Sequence, residues 1–586
     1  GTILMAEIKE VFQITTPAGV KRDGTQLDGD NYVDAQWCRF IRREGRPKKM
    51  GGYQEVNSLL PGPSRAILVW TRGDFNSIVS GSQFGINQAN IDKNGGAGPS
   101  YDRTPVGWST FDGAWTLDSM YDDAVGSQGT IIVAHRTNNI GSIDDPSPTP
   151  VYYGLANDTS IFTAIPGLSV SGGIVCISPY LVYYGSDGLV GWSDINQPQT
   201  LTGGDSGSDR ITGAKVVKGL PLRSASGPAA LLWSLDSVIR MDYVGGAAIF
   251  KFSTVTAQSS ILSQNSVIEY DGDYFWIGID RFMAYSGGKV IEVPNELSKN
   301  YFFDNLNFSQ RQKVWATKIP RFGEIIWFFP FGDSVECNKA VVFNMNLKTW
   351  YDFDLSRTAG YYSQVFNRPV WASTNSSDLM RLTISAPTGT ISAGDTLRGN
   401  TTDELGFVQF VESATSFLVR PLPVSEAWGT VFSVGETVTN LSQVGGGMVD
   451  SVVPLGSAYI HEKGLNAITM NEETAIESWF ETSDFGYPTG GSQPNGIKGL
   501  NRWARLARIE PDFIMEGDMT VEVIGREFAQ SPDITSEPFT FDSTTGKIDL
   551  REQRRQIRLR FTSNTLNGNY EMGRTILHIE PGDTRS

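Results

Sequence analysis

The chain reads as an all-β protein, and three observations carry that reading. Helical periodicity is nearly absent, whereas short apolar runs recur between Gly, Asp and Pro turn signals. The 586 residues include 63 Gly, 28 Pro, 31 Phe, 20 Tyr and 14 Trp, a composition suited to short aromatic strands and tight turns. Strand groups begin about 40 to 60 residues apart, the spacing of β-propeller blades, which bury their faces only against neighbouring blades. The expected architecture is a β-propeller with an extended N-terminal arm, an inserted small β module and a C-terminal β region. A β-helix and two successive sandwiches compete with it, and the blade count falls between about six and eight.

Residues 1–60 are expected to form the arm. The run Gly19-Val-Lys-Arg-Asp-Gly-Thr25, then Asp28-Gly-Asp30, Asp34, Arg39-Phe40 and Gly45 to Tyr53 is too polar and too rich in Gly and Pro to build a core. Turns are expected at Asp23-Gly24, Asp28-Gly29 and Pro47. Such a segment is ordered only by lying on its own domain or on a neighbouring subunit.

The first part of the propeller spans 61–384. Its strands are expected at Ala66–Trp70 with Ser77–Ser80, at Gly129–Ala134 with Asn138–Ile143 as the return, and at Gly173–Ile177 with Leu181–Tyr184. Ala230–Trp233 and Ser237–Asp242 follow, then Ser266–Tyr270, Tyr274–Ile279 and Arg281–Tyr285 around the turn Asp271-Gly-Asp273. Glu324–Phe329, Ala340–Asn344 and Thr349–Asp352 form another group, and Tyr361–Phe366, Val370–Ser373 and Leu379–Ile384 one more.

The inserted module spans 385–455. Gly389-Thr-Ile-Ser-Ala-Gly-Asp-Thr-Leu397 is echoed by Gly429-Thr-Val-Phe-Ser-Val-Gly-Glu-Thr-Val438, the mark of a small duplication at a loop tip. The propeller is expected to resume over 456–486, with strands at Ser457–His461 and Ile476–Thr482. A Gly- and Pro-rich linker, Tyr487–Gly496, leads to the C-terminal region of 487–586. There, Arg554, Gln556, Arg558 and Arg560 share one strand face. Carboxylates at Glu510, Asp512, Glu522 or Glu580 would pair with them inside one sheet; otherwise Arg554, Arg558 and Arg560 form a docking strand for a partner.

Composition bounds the function. A formal net charge of −16 repels phosphate and disfavours holding nucleic acid by charge, although DNA as sliding cargo is compatible with an acidic wall. Three scattered cysteines, Cys38, Cys176 and Cys337, make neither a disulfide framework nor a metal motif and point to folding in a reducing cytoplasm. No signal peptide and no membrane span are evident.

His135, His461 and His578 lack partners at metal-ligand spacing, and neither a nucleophile elbow nor a phosphate loop occurs. Asp187, Asp194, Asp236, Asp271, Asp273 and Asp280 fall at turns, where Asp accepts backbone N–H bonds without catalysis. Asp23, Asp28, Asp30 and Asp34 depart from calcium-hand spacing. No catalytic, cofactor or metal site is therefore assigned. The cluster Arg39, Arg42, Arg43, Arg46, Lys48 and Lys49 is a solvated face, a contact with an acidic neighbouring subunit or adaptor, or, less in keeping with the chain's negative field, a phosphate contact.

The order of the N-terminal residues resembles the opening of the tail nozzle, or hub, proteins of short-tailed bacteriophages (tail tubular protein B-like), closely over about fifty residues and in style beyond them. That resemblance implies a non-enzymatic structural subunit of the virion tail, made in the host cytoplasm. It would assemble as a homo-oligomeric ring, commonly a hexamer, below the portal and an adaptor protein. The ring would continue and gate the DNA ejection channel and hold tail fibres or spikes, with genomic DNA as cargo. The rival expectation is a glycan-binding or glycan-cleaving propeller acting at the host cell surface.

Overall fold

Aromatic strands and Gly or Asp turns assemble in sequence order into meanders in the computed structural model, which describes residues 10–42, 44–72, 75–92, 96–362, 368–373, 379–422, 432–470, 472–487 and 502–584. Six four-stranded antiparallel sheets follow one another over 66–102, 115–170, 173–210, 216–256, 268–292 and 315–354, here sheets 1 to 6. Each begins with a leading strand, for example Ala66–Arg72, Trp115–Tyr121 and Val216–Pro221. A seventh, composite sheet orders Ala359–Tyr362, Pro369–Ser373, Gly445–His461 and Tyr53–Pro61. An early strand thus completes a sheet built otherwise from late ones.

The leading strands touch in a closed cycle. That of sheet 1 contacts that of sheet 2, 2 contacts 3 and 3 contacts 4; 4 reaches sheet 5 through the turn Gln264–Ser266, 5 contacts 6, 6 contacts Ala359–Tyr362, and that strand returns to Ala66–Arg72. Apolar clusters lie between successive sheets. Trp233, Tyr274 and Trp276 sit between sheets 4 and 5, and Phe282, Trp327 and Trp350 between 5 and 6. Each such ring removes about 150–250 Å² from water, so these seams dominate cohesion.

The insertion is a closed six-stranded barrel. Met380–Gly389 pairs with both Ser416–Pro421 and Gly445–His461, and the circuit runs on through Leu405–Ser413, Thr396–Gly399 and Thr437–Asn440. Its core holds Leu382, Leu397, Val408, Phe417, Val438 and Val449. The duplication is visible in equivalent bonds. Asp395 accepts from the Ser392 backbone N–H at 2.7 Å, and Glu436 accepts from that of Ser433 at 2.6 Å. The barrel begins at Met380 rather than 385, so Leu379–Ile384 belongs to it and not to the preceding sheet. Its last strand, Gly445–His461, runs on into the composite sheet.

Three expectations are corrected by the remaining elements. The N-terminal segment, expected to be too polar to build a core, does contribute to one: Ile14, Val20, Tyr32, Ala35, Trp37, Cys38, Phe40 and Met50 are buried in a single core cluster with Leu506, Val521, Leu559, Phe561 and Ile579. Glu10–Gln13 pairs with Ile576–Thr584, Asp34–Gln36 with Ser478–Glu481, and Pro47–Lys49 with Asn569–Met572. The first and last parts of the chain therefore make one body. Within 456–486, residues to His461 lie in the composite sheet, whereas Ser478–Glu481 pairs with Gln556–Ser563 in that body. Asn138–Ile143 is not a return strand; the return is Thr149–Leu155. Residues 488–496 of the expected linker and the end of Tyr361–Phe366 lie outside the described residues.

Candidate functional site

The residues that carry the N-terminal pattern form a network of buried and half-buried polar contacts. Gly19 sits at φ +108°, where a Cβ would meet Thr349 Oγ1 at 2.1 Å, and Gly45 at φ +71°, where it would meet the Thr16 carbonyl oxygen at 1.8 Å. Both positions require glycine on conformation and on space. Between them, Arg22 donates through Nε and Nη2 to the two oxygens of Asp352 at 2.9 and 2.8 Å and pairs with Asp34 at 2.7 Å. Burial opposes its charge, but Asp352 and Asp34 hold the Arg22 guanidinium above its ordinary value. The Asp23 carboxylate accepts from the backbone N–H groups of Asn300 and Tyr301 at 2.9 and 2.7 Å, at the start of the short helix Lys299–Asn305.

Arg39 lies deeper still, 1% exposed, 3.0 Å from Glu324 and in a fork with Glu462 at 3.0 and 2.5 Å. Its guanidinium stacks 3.9 Å over the Phe322 ring, and Tyr351 donates to the far oxygen of Glu324 at 2.6 Å. Burial raises the Glu324 carboxyl, with Arg39 opposing. One arginine from the N-terminal segment thus joins sheet 6 to the end of the composite sheet.

The basic cluster is dispersed. Arg39, Arg46 and Lys49 are buried in their own chain, which overturns the expectation that they face a subunit or adaptor: Arg46 donates to the Ile14 carbonyl and Lys49 to Ser563 Oγ. Lys48 is half-buried beside Glu571 at 3.7 Å. Arg42 is exposed, and Arg43 lies outside the described residues.

The expected arginine strand is divided: Arg554 ends the strand Ile548–Arg554, whereas Arg558 and Arg560 lie on Gln556–Ser563, where only the pairing with Glu481 is cross-strand. Arg558 is buried against Glu481, Asp484 and Asp533, at 3.1, 3.7 and 2.6 Å. Arg560 pairs with Glu481 at 3.5 Å and stacks over Trp479 at 3.8 Å, while Arg554 pairs with Glu552 at 2.9 Å. As a docking residue, Arg558 is therefore corrected to an internal one, while Arg554 and Arg560 are half-buried and paired within their own chain. The turn aspartates also have local work: Asp194 accepts from the Ile195 and Asp205 N–H groups, Asp187 lies 3.6 Å from Arg210, and Asp280 binds Arg281.

Sequence reasoning missed the cavity inside the cycle of leading strands. It has a volume of about 160 Å³ and is walled by Arg65, Trp115, Thr116, Lys218, Asn265 and Trp315 together with small and aliphatic residues; among the described residues no carboxylate lines it. In an antiparallel meander the entry to the first strand and the second turn share one end. At that end, residues 137–148 form a strap. Gln312, at the entry to sheet 6, donates to the carbonyls of Asn139 and Ile140 at 3.1 and 2.6 Å; Lys215, at the entry to sheet 4, donates to those of Ile143 and Asp145, both at 2.9 Å. The strap of sheet 2 thus spans the mouth to two non-adjacent sheets. Nearby, Arg65 is held by Asp112 and Glu336, each at 2.7 Å.

Neither a protein-family model nor a curated protein matches this chain. Among solved structures, a computationally designed protein, Ika8, is similar at 12% identity with a TM-score of 0.32, over 63% of this chain and 99% of its own.

Proposed function

We propose that this chain is a structural subunit of a phage tail nozzle, with the seven successive sheets as the blades of a β-propeller. The observation that carries the reading is where the family-like residues fall. Arg22 and Arg39 tie the N-terminal segment to sheet 6, Asp23 ties it to the helix Lys299–Asn305, and Asp34 braces Arg22, all through buried or half-buried ion pairs and N–H contacts. That is the chemistry of a rigid part, since fixed pairs hold orientation rather than move protons. The closed cycle of leading strands supports the propeller reading.

On this reading, copies repeat one heterologous interface into a ring, commonly a hexamer, burying on the order of 2,000 Å² per contact or more. The ring would meet an adaptor on one side, hold fibres or spikes outside, and pass DNA through its centre. An acidic wall would let phosphates slide, because each cation–phosphate contact adds a salt-dependent hold. No helix among the described residues is long and apolar enough to cross a membrane.

The glycan-cleaving alternative needs two converging carboxylates, and among the described residues the wall of the central cavity has none. Negative-stain imaging of the purified protein, alone and with its adaptor, tests the proposal. Rings with a central hole are expected; dispersed monomers in both samples overturn it.

A further inference from the structure

Lys218 occupies an unusual position for a lysine. Its strand, Val216–Pro221, carries a register shift between Val216 and Lys218 against Ala229–Ser234. Val216 and Val217 are consecutive yet both buried, in the cores on opposite sides of sheet 4. The shift makes the next side chain, Lys218, a wall residue of the central cavity. Bulges characteristically re-aim one side chain in this way.

The ammonium group has no salt bridge within 4 Å and no hydrogen-bond acceptor among the described residues. The other cation on the wall, Arg65, is fully engaged by Asp112 and Glu336. Among nearby charges, Asp118 lies on the leading strand of sheet 2 and accepts from the Cys176 and Ser119 N–H groups, and Arg223 acts on it from the far end of sheet 4. Glu269 and Lys318 are paired with each other at 3.2 Å. Asn265 donates to the Trp115 carbonyl at 3.3 Å, which leaves the second N–H of its amide for another acceptor. A cavity walled by two tryptophans, with one cation that makes no ion pair within 4 Å and has Asp118 as its more distant counter-charge, and with spare neutral donors, has the donor set of an anion site.

We propose that the central cavity is a binding site for a small oxyanion, a carboxylate or a phosphate, held by Lys218 with Asn265 and Thr116 beside it. A volume of about 160 Å³ admits such an ion with attendant water and excludes anything as large as a nucleotide. The site is independent of the tail reading: it requires only this chain.

Burial draws the Lys218 amine down to about 8, with Asp118 opposing. A bound anion needs the charged form, so affinity should fall as pH passes that value. Isothermal titration of the full chain with sodium acetate and, separately, sodium phosphate, at ionic strength fixed with chloride, tests the site. Saturable binding of at least one ion is expected, weakened about tenfold or more in Lys218→Met; which ion binds tighter identifies the class. Acetate does not titrate between neutral pH and about pH 10, so its affinity for the unaltered protein is a second readout that needs no variant. A decline through this range supports the site. Absence of saturable binding by both ions, equal binding by Lys218→Met, or a flat acetate profile overturns it.

Discussion

Replacing Arg39 by methionine isolates the buried knot between the N-terminal segment and sheet 6. Arg39 is 1% exposed and Glu324 0%, so neither charge has water to fall back on, whereas Glu462, at 20%, has some. Removing one member of such a pair costs about 3–5 kcal/mol, most of it the uncompensated partner. Methionine retains contact with Phe322 but loses the cation–π attraction, about 1–2 kcal/mol at a dry site. The expected loss is about 3–5 kcal/mol at neutral pH.

Its pH dependence has a definite sign. The folded Glu324 carboxyl is already raised by burial and rises further without Arg39. A raised acid contributes stability that is fully present below its unfolded value, about 4.3, and is lost as pH climbs through the folded value. The deficit of Arg39→Met should therefore be smallest in acid and grow toward neutrality. Urea unfolding followed by tryptophan fluorescence measures the loss, and hydrogen exchange of the Glu324–Phe329 amides localises it. Adding Glu324→Gln should restore most of the stability, because the orphaned charge is then gone. A single variant within about 1 kcal/mol of the parent, or a double variant no more stable than the single, would refute the reasoning.

Deleting residues 1–52 should unfold the C-terminal body and weaken sheet 6 while leaving sheets 1 to 5, because the segment supplies strands to that body and core contacts and ion pairs to sheet 6; cooperative melting of 502–584 that survives the deletion would contradict this. Replacing 381–453 by a tight turn should leave the remaining sheets folded, since Met380 and Pro454 face each other across a strand pair; far-UV circular dichroism and the thermal midpoint report the outcome. Lys49→Met should stabilise the protein at neutral pH. Burial lowers the Lys49 amine to about 8, so parent stability rises with pH between there and the unfolded value near 10.4, and the advantage should vanish above that range; a variant less stable at pH 7 would count against the assignment.

Local chemistry made much of this fold legible. Asp271 and Gly272 both have positive φ between Ile268–Tyr270 and Asp273–Ile277, as a two-residue hairpin requires, and the echoed Gly-Asp-Thr and Gly-Glu-Thr runs became equivalent turns of one barrel. The failures share a cause, which is distance along the chain. Ile14, Val20, Tyr32, Trp37 and Phe40 have no period, so they look like an arm, yet the Trp37 carbonyl accepts from Ser478, 441 positions away. The carboxylates for the arginine row were expected at Glu510, Asp512, Glu522 or Glu580, but those of Arg558 are Glu481, Asp484 and Asp533, two of them in a segment read as another domain. Ile140 and Ile143 supply the apolar side chains of a short strand, but they sit within a strap whose carbonyls serve other sheets. Nothing in the string Val216-Val-Lys218 announces a bulge.

The composite sheet also sets a timetable for synthesis. Ser457 donates to Glu55 across a separation of 402 positions, and Glu10–Gln13 must find Ile576–Thr584. At a ribosomal rate of roughly 5–20 residues per second, the opening strand is exposed for tens of seconds before its neighbour emerges. Sheets 1 to 6 form meanwhile from adjacent segments, so Glu10–Gln13, made before them, pairs after them. During that interval a nascent chain presents an unclosed cycle and a loose β-strand, the combination from which two chains exchange ends. Faithful production thus depends on the tail of the chain arriving before a second copy does, and crowded expression should favour intertwined dimers over the closed monomer.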